Sequence, residues 1–133
     1  MQFNKCTAVV TGGAQGIGLS VVNALLQKGS KVAIWDQNPR TAQAAFDAHP
    51  EKSNVDIIEC DIAAWQRVKK AAEDTEKRFG QIDILVNSAG IAGPNATVEN
   101  YDNAAWNKII DINLTGTYHV NKAVIAGMKA RNY

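Results

Sequence analysis

The chain has little of what would build a metal centre or a covalent framework. It holds two cysteines, Cys6 and Cys60, and two histidines, His49 and His119, far apart in sequence. Neither pair has zinc-ligand spacing, and two cysteines make no disulfide framework, so the expectation is no metal site. Charge of one sign is also missing. Fourteen basic and 13 acidic side chains leave a formal charge of +1, which draws neither nucleic acid nor an anionic membrane surface. No apolar run approaches the about 18 residues of a membrane span. The opening residues carry no signal-peptide cleavage pattern, so a cytoplasmic chain is the expectation. Repeats and low-complexity stretches are absent as well.

What remains reads as a folded domain. Of 133 residues, 46% are hydrophobic and 20% charged, the balance of a globular chain. Residues 1–133 fit a single domain by length. Apolar runs of strand length alternate with longer stretches of helical period, the pattern of βαβ units on a parallel sheet.

Thr7 to Val10 is the first predicted strand, ending in a glycine-rich turn from Gly12 to Gly18. A helix follows, with Ile17, Val21 and Leu25 on one stripe and Val22 and Leu26 beside it. Gly29 sits where a helix end wants a positive φ. Lys31 to Trp35 gives the second strand, and Asn38-Pro39 an N-cap with proline at the first helical position. Val55 to Glu59 reads as the third strand. Ala64 to Phe79 reads as a helix, with Val68, Ala72, Thr75 and Phe79 inward and Glu73–Lys77 and Asp74–Arg78 pairs outward. Ile82 to Val86 is the fourth strand, apolar enough to be buried on both faces. Helical patterns resume near Asp102 and run to the end, with Asn113 near a junction between two helices.

Right-handed crossovers place the strands in the order 3-2-1-4. Cys6 and Cys60 are then two strand spacings apart, about 9.6 Å, beyond disulfide reach. Both are expected as reduced core thiols.

The turn Thr11-Gly12-Gly13-Ala14-Gln15-Gly16-Ile17-Gly18 lies between a strand and a helix. Glycines there let the backbone approach a pyrophosphate at the helix N-terminus, and Gly18 leaves room for helix-on-strand packing. A phosphate-binding loop of the nucleoside-triphosphatase kind is excluded, because no Gly-Lys-Ser/Thr follows. Asp36 ends the second strand, where a carboxylate can accept hydrogen bonds from an adenosine ribose. A 2′-phosphate roughly 4 Å away would be repelled by about 4 kcal/mol per unit charge at an effective dielectric near 20. NAD is expected over NADP, with Arg40 close enough in sequence to temper that preference.

The whole set resembles the short-chain dehydrogenase/reductase family. Thr11-Gly12-x3-Gly16-x-Gly18 matches its TGxxxGxG form. Asp61-Ile62 after the third strand matches the pair that meets the adenine. Asn87-Ser88-Ala89-Gly90 matches its NNAG motif with serine in the second asparagine's place. Trp106, Asn107 and Ile110 lead into Asp111 to Gly116, which resembles the segment around the family's catalytic asparagine. The resemblance implies a Rossmann-like doubly wound parallel sheet of the α/β class, truncated before its fifth strand. It implies cofactor binding by Gly12, Gln15, Gly16, Ile17, Gly18, Asp36, Asp61, Ile62, Asn87, Ala89 and Gly90.

It further implies hydride transfer between nicotinamide and a secondary alcohol or ketone, with Asn113 as the asparagine that helps hold a proton-relaying water. The loop Gly90 to Asn95 resembles members acting on sugar acids or polyols; 3-oxoacyl thioesters stay open. The family's catalytic serine and Tyr-x-x-x-Lys lie on a strand and helix beyond these residues. Tyr118 and Lys122 share that spacing, but on the helix of Asn113 itself, where the resemblance assigns a structural aromatic. Tyr133 has no lysine after it. The alternative is a non-catalytic NAD-binding or interaction module; a small-molecule substrate and a homo-oligomeric parent protein go with the enzyme reading.

A chain that stops here leaves its fourth strand as an open apolar edge. The 133-residue chain is expected to self-associate; a monodisperse monomer on size exclusion, with a sharp thermal transition, would oppose this.

Overall fold

The computed structural model describes residues 2–132. Four parallel strands form one sheet in the order β3-β2-β1-β4: β1 Thr7–Thr11, β2 Lys31–Asp36, β3 Val55–Glu59 and β4 Ile84–Asn87. Helix α1 (Gly16–Gln27) follows β1, α2 (Pro39–Phe46) follows β2, and α3 (Trp65–Phe79) follows β3. After β4 and an irregular stretch come α4 (Asn103–Ile109), a π-helical segment (Ile110–Gly116) and α5 (Thr117–Ala130).

Alternation along the strands separates two cores, because successive side chains point to opposite faces. Ala8 and Val10 of β1, with Val32 and Ile34 of β2, pack under Val22, Leu25 and Leu26 of α1 and Phe46 of α2. Val9, Ala33 and Trp35 face the other way, onto Val68, Ala71 and Ala72 of α3 and Val120 and Val124 of α5. β1 is buried along its whole length, as expected of a central strand hydrogen-bonded on both sides. Its register sets Thr11 opposite Trp35 on one side and Asn87 on the other.

Several local expectations need correction. The inward stripe of α1 is Val22, Leu25 and Leu26; Ile17 is 80% exposed, because the first turn projects beyond the sheet. Asn38 sits at the start of α2, but its side chain makes no capping bond. Its backbone N–H is held instead by Asp36 Oδ1 at 2.9 Å. Asp74 pairs with Lys70 at 2.8 Å, not with Arg78, which reaches Asp56 on β3 at 3.8 Å.

β4 starts at Ile84, and Ile84, Leu85 and Val86 are only half-buried. The strand is an edge, with pairing on β1 alone. Asp83 just before it is buried, and its Oδ2 accepts from the Thr7 N–H at 2.9 Å. Arg131, after α5, donates to the Ile82 carbonyl and reaches Asp83 at 4.0 Å. Asn113 does lie at the junction of two helices, α4 and α5. The backbone runs helically from α4 to α5 through the π-helical segment.

Trp35 is the largest side chain with no exposed surface, and its Nε1–H donates to Thr75 Oγ1 at 3.0 Å. An indole N–H left unsatisfied in such a place costs about 1–3 kcal/mol. Thr75→Val keeps the shape and removes the acceptor. It should lower unfolding free energy by roughly 1–3 kcal/mol in urea titration, with the unfolding slope unchanged.

Candidate functional site

Parallel strands all end at the same edge of the sheet, and the loops leaving them enclose a cleft there, as in other open α/β sheets. It measures about 310 Å³. Its first wall is the glycine turn, represented by Gly12, Gln15, Gly16 and Ile17. Gly12 has φ +65°, and a Cβ on it would stand 2.8 Å from the Ala89 Cα. Only glycine lets the turn lie against the β4 loop this closely. Gly18 does not line the cleft. It presses against the Gly12 carbonyl from behind, and so brings the start of α1 up to the turn. Gln15, at the N-cap of α1, offers no side-chain bond to the first amides of the helix, which leaves them for another acceptor.

The second wall is the end of β2. Asp36 lines the cleft with Trp35 and Gln37. Its carboxylate is oriented by two backbone donors, Ala14 N–H onto Oδ2 at 3.2 Å and Asn38 N–H onto Oδ1 at 2.9 Å. Each oxygen keeps a further lone pair for a bound hydroxyl. Arg40 is exposed on α2 and lies outside the lining.

The third wall comes from β3: Cys60, Asp61 and Ile62. Asp61 Oδ1 accepts from its neighbour Ala63 at 3.0 Å, an Asx turn that launches α3. The fourth wall comes from β4, through Ser88, Ala89, Gly90 and Ile91. Thr11 Oγ1 accepts from the N–H groups of both Ser88 and Ala89 at 3.1 Å. Asn87 ends the strand outside the cleft lining, opposite Thr11 in the ladder.

Asn113 stands behind this last wall. Its Oδ1 accepts from Ile91 N–H and its Nδ2 donates to Ile91 O, both at 2.9 Å. The carboxamide is thereby committed to holding the loop. The Asn113 carbonyl accepts from Thr117 Oγ1 at 2.8 Å. Ile112, its neighbour, reaches the cleft. Tyr118 and Lys122 line no part of it. Tyr118 is 58% exposed, and the Lys122 ammonium lies over the Trp65 and Tyr118 rings, 4.9 and 5.6 Å from their centroids. Tyr133 lies outside the described residues.

The structure therefore gathers nine of the residues singled out from sequence around one cleft, with Gly18, Asn87 and Asn113 immediately behind it. Sequence reasoning missed Trp35, Gln37, Cys60, Ser88, Ile91 and Ile112 as lining. Each is adjacent to a motif residue, and adjacency on a loop was the signal available.

Cys60 is 2% exposed, and neither it nor Cys6 is in a disulfide. Burial, then the neighbouring Asp61 carboxylate, pushes the Cys60 thiol from the ordinary 9.0 up to about 11, with Arg67 pulling the other way. Raised in the fold, this thiol stabilises the protein fully below pH 9 and loses that contribution as pH rises through 11. Unfolding free energy should fall across that window. At pH 8, native Cys60 should alkylate far more slowly with iodoacetamide than the same residue in urea; equal rates would contradict its protonated, buried state.

Comparison with known proteins agrees with this geometry. The family profile described as short chain dehydrogenase matches residues 6–133. The chain is 36% identical over 126 residues to 2-dehydro-3-deoxy-L-rhamnonate dehydrogenase (NAD(+)) of Sphingomonas sp. (strain SKA58), covering 95% of this chain and 49% of that one. It is 40% identical over 125 residues to the 15-hydroxyprostaglandin dehydrogenase [NAD(+)] of Homo sapiens, covering 89% and 44%. The crystal structure of an NAD+-bound xylitol dehydrogenase superimposes with a TM-score of 0.94 at 32% identity, covering 100% of this chain and 52% of the other. The chain thus spans about half the length of the relatives it matches. Its profile match, its sequence relatives and its sheet order agree, and the chain belongs to the short-chain dehydrogenase family.

Proposed function

We propose that the cleft binds NAD(H), and that the protein of which these residues form the front part transfers hydride between nicotinamide and a secondary alcohol or ketone. The observation that carries this reading is the pairing of an uncapped α1 N-terminus, reached through Gly12 and Gly16, with an oriented Asp36 carboxylate across the same cleft. The first fits a pyrophosphate, the second an adenosine diol. Gly16, at φ +58° with open space where a Cβ would stand, leaves the turn free for close approach of a ligand. Asp61 and Ile62 would flank the adenine. Ala89 and Gly90 would lie under the nicotinamide ribose, in a loop that Asn113 fixes through Ile91.

When bound there, nicotinamide supplies the hydride donor or acceptor. What these residues contribute is binding, orientation and a low, rigid floor. Asn113, at the segment that holds this loop, is the residue proposed to help hold a proton-relaying water. Serine and Tyr-x-x-x-Lys groups facing the substrate would come from the other half of the protein, since Tyr118 and Lys122 stand away from the cleft. Residues 1–133 alone should therefore bind NAD weakly at best and turn nothing over.

Sugar acids and polyols are the favoured substrate classes. The named activities on a deoxy-sugar acid and on xylitol among similar proteins support them, with 3-oxoacyl substrates as the next choice. Homo-oligomerisation of the whole protein is part of this reading. Leu114, Tyr118 and Ile125 form an exposed apolar stripe at helical spacing that supports it. Neither buried cysteine is in a disulfide, which suits a cytoplasmic setting.

Calorimetric titration tests the cofactor. NAD should bind more tightly than NADP, and Asp36→Asn should weaken NAD roughly tenfold while narrowing the gap between the two. Equal affinity for both in the unsubstituted protein would remove Asp36 from this role.

A further inference from the structure

We propose that the π-helical segment and α5 position the adenosine end of the cleft, through Gly116 and His119 acting on Ile62. This rests on the cofactor reading above. Neither residue lines the cleft; both hold the one that does.

Ile62 stands between the cleft and the helix. It contributes to the cleft lining, is only 5% exposed, and shares a core with Val120 and Val124. Gly116 closes the π-helical segment and is buried there. A Cβ on Gly116 would stand 2.6 Å from Ile62 Cγ1, 2.8 Å from its Cδ1 and 3.2 Å from its carbonyl carbon. Helix backbone and Ile62 are thus already in contact, and the missing methyl is what allows it.

One turn on, His119 Nδ1 lies 3.0 Å from the Ile62 carbonyl oxygen. A carbonyl only accepts, so Nδ1 carries the hydrogen and donates. The imidazole also meets the rings of Trp65 on α3 and Tyr118, at 5.7 and 5.9 Å between centroids. Ile62 is therefore held from the helix side by contact and by a hydrogen bond. Its neighbour Asp61 accepts through Oδ1 within the loop, from Ala63.

Displacement has one direction available. The helix side of Ile62 is filled, and the open side is the cleft. A methyl at position 116 drives the Ile62 side chain into the space proposed for adenine. Loss of the His119 donor frees the loop to drift. The nicotinamide end, built from Ala89, Gly90 and Asn113, is untouched in either case.

Affinities of NAD, AMP and nicotinamide mononucleotide, measured by calorimetry on the unsubstituted protein and its variants, test this. Gly116→Ala should weaken NAD and AMP about tenfold each and leave the mononucleotide unchanged. In an Ile62→Ala background the same substitution should cost no further affinity. His119→Leu should weaken AMP roughly threefold, and His119→Asn, which keeps a donor at that reach, should restore it. Should Gly116→Ala fail to fold by circular dichroism, the His119 pair decides. An equal loss for AMP and the mononucleotide, an unchanged AMP affinity, or full loss persisting without the Ile62 side chain overturns the positioning role while leaving the cofactor reading intact. Failure of the unsubstituted protein to bind NAD overturns both.

Discussion

The hydroxyl of Thr11 joins the two halves of the cleft. Central strand β1 ends on this residue, and its oxygen takes the first two amides of the loop leaving β4. Without that acceptor, Ser88 N–H and Ala89 N–H would face a half-buried surface with no partner from the sheet, since the β4 ladder stops at Asn87. With it, the glycine turn and the Ala89 loop meet at van der Waals distance. Everything further along either loop inherits that alignment: the start of α1 behind Gly18, and the Gly90–Ile91 segment ahead of Asn113.

The remaining walls are fixed from outside in the same way. Asp36 is aimed by backbone amides of Ala14 and Asn38, one from each flanking loop. Ile91 is gripped by a carboxamide from the π-helical segment. The lining residues thus have little freedom to rearrange, which suits a site whose contribution is preorganised binding. The far end of the sheet is tied as well, by the buried Asp83 carboxylate on Thr7 and by Arg131 on Ile82. Strand β1 is consequently anchored at both ends by a side chain, in addition to its two ladders.

Much of this was legible in the residues. Alternating apolar runs and short connections gave the strand order, because right-handed crossovers leave few other arrangements. The glycine turn and Asp36 were found because each has a steric or electrostatic reason to be where it is. What escaped notice lacked a local signature. Ile17 fits the helical period of α1, yet it turns outward because the sheet ends beneath it, a tertiary fact. Asn38 has the composition of a cap but was outcompeted by a fixed carboxylate two residues earlier. The start of β4 was misplaced because Asp83 substitutes a side-chain acceptor for a ladder bond. Cys60 looked like any core thiol, since sequence cannot tell burial beneath a cleft from burial beneath a helix. The π-helical winding at Asn113 was hidden because wide-turn geometry has no composition of its own.

That wide turn constrains how the chain can vary. A π-helical stretch holds one residue more than the α-helical path it replaces, and every residue of an α-helix turns the next by about 100°. Removing any one position between Ile110 and Gly116 would let the backbone relax to ordinary winding. With ordinary winding restored, Val120 and Val124 would still face the sheet, so the surplus residue can be lost while α5 keeps its orientation. A second loss has no surplus to draw on. It would turn all of α5 by about 100° and take both valines out of the core.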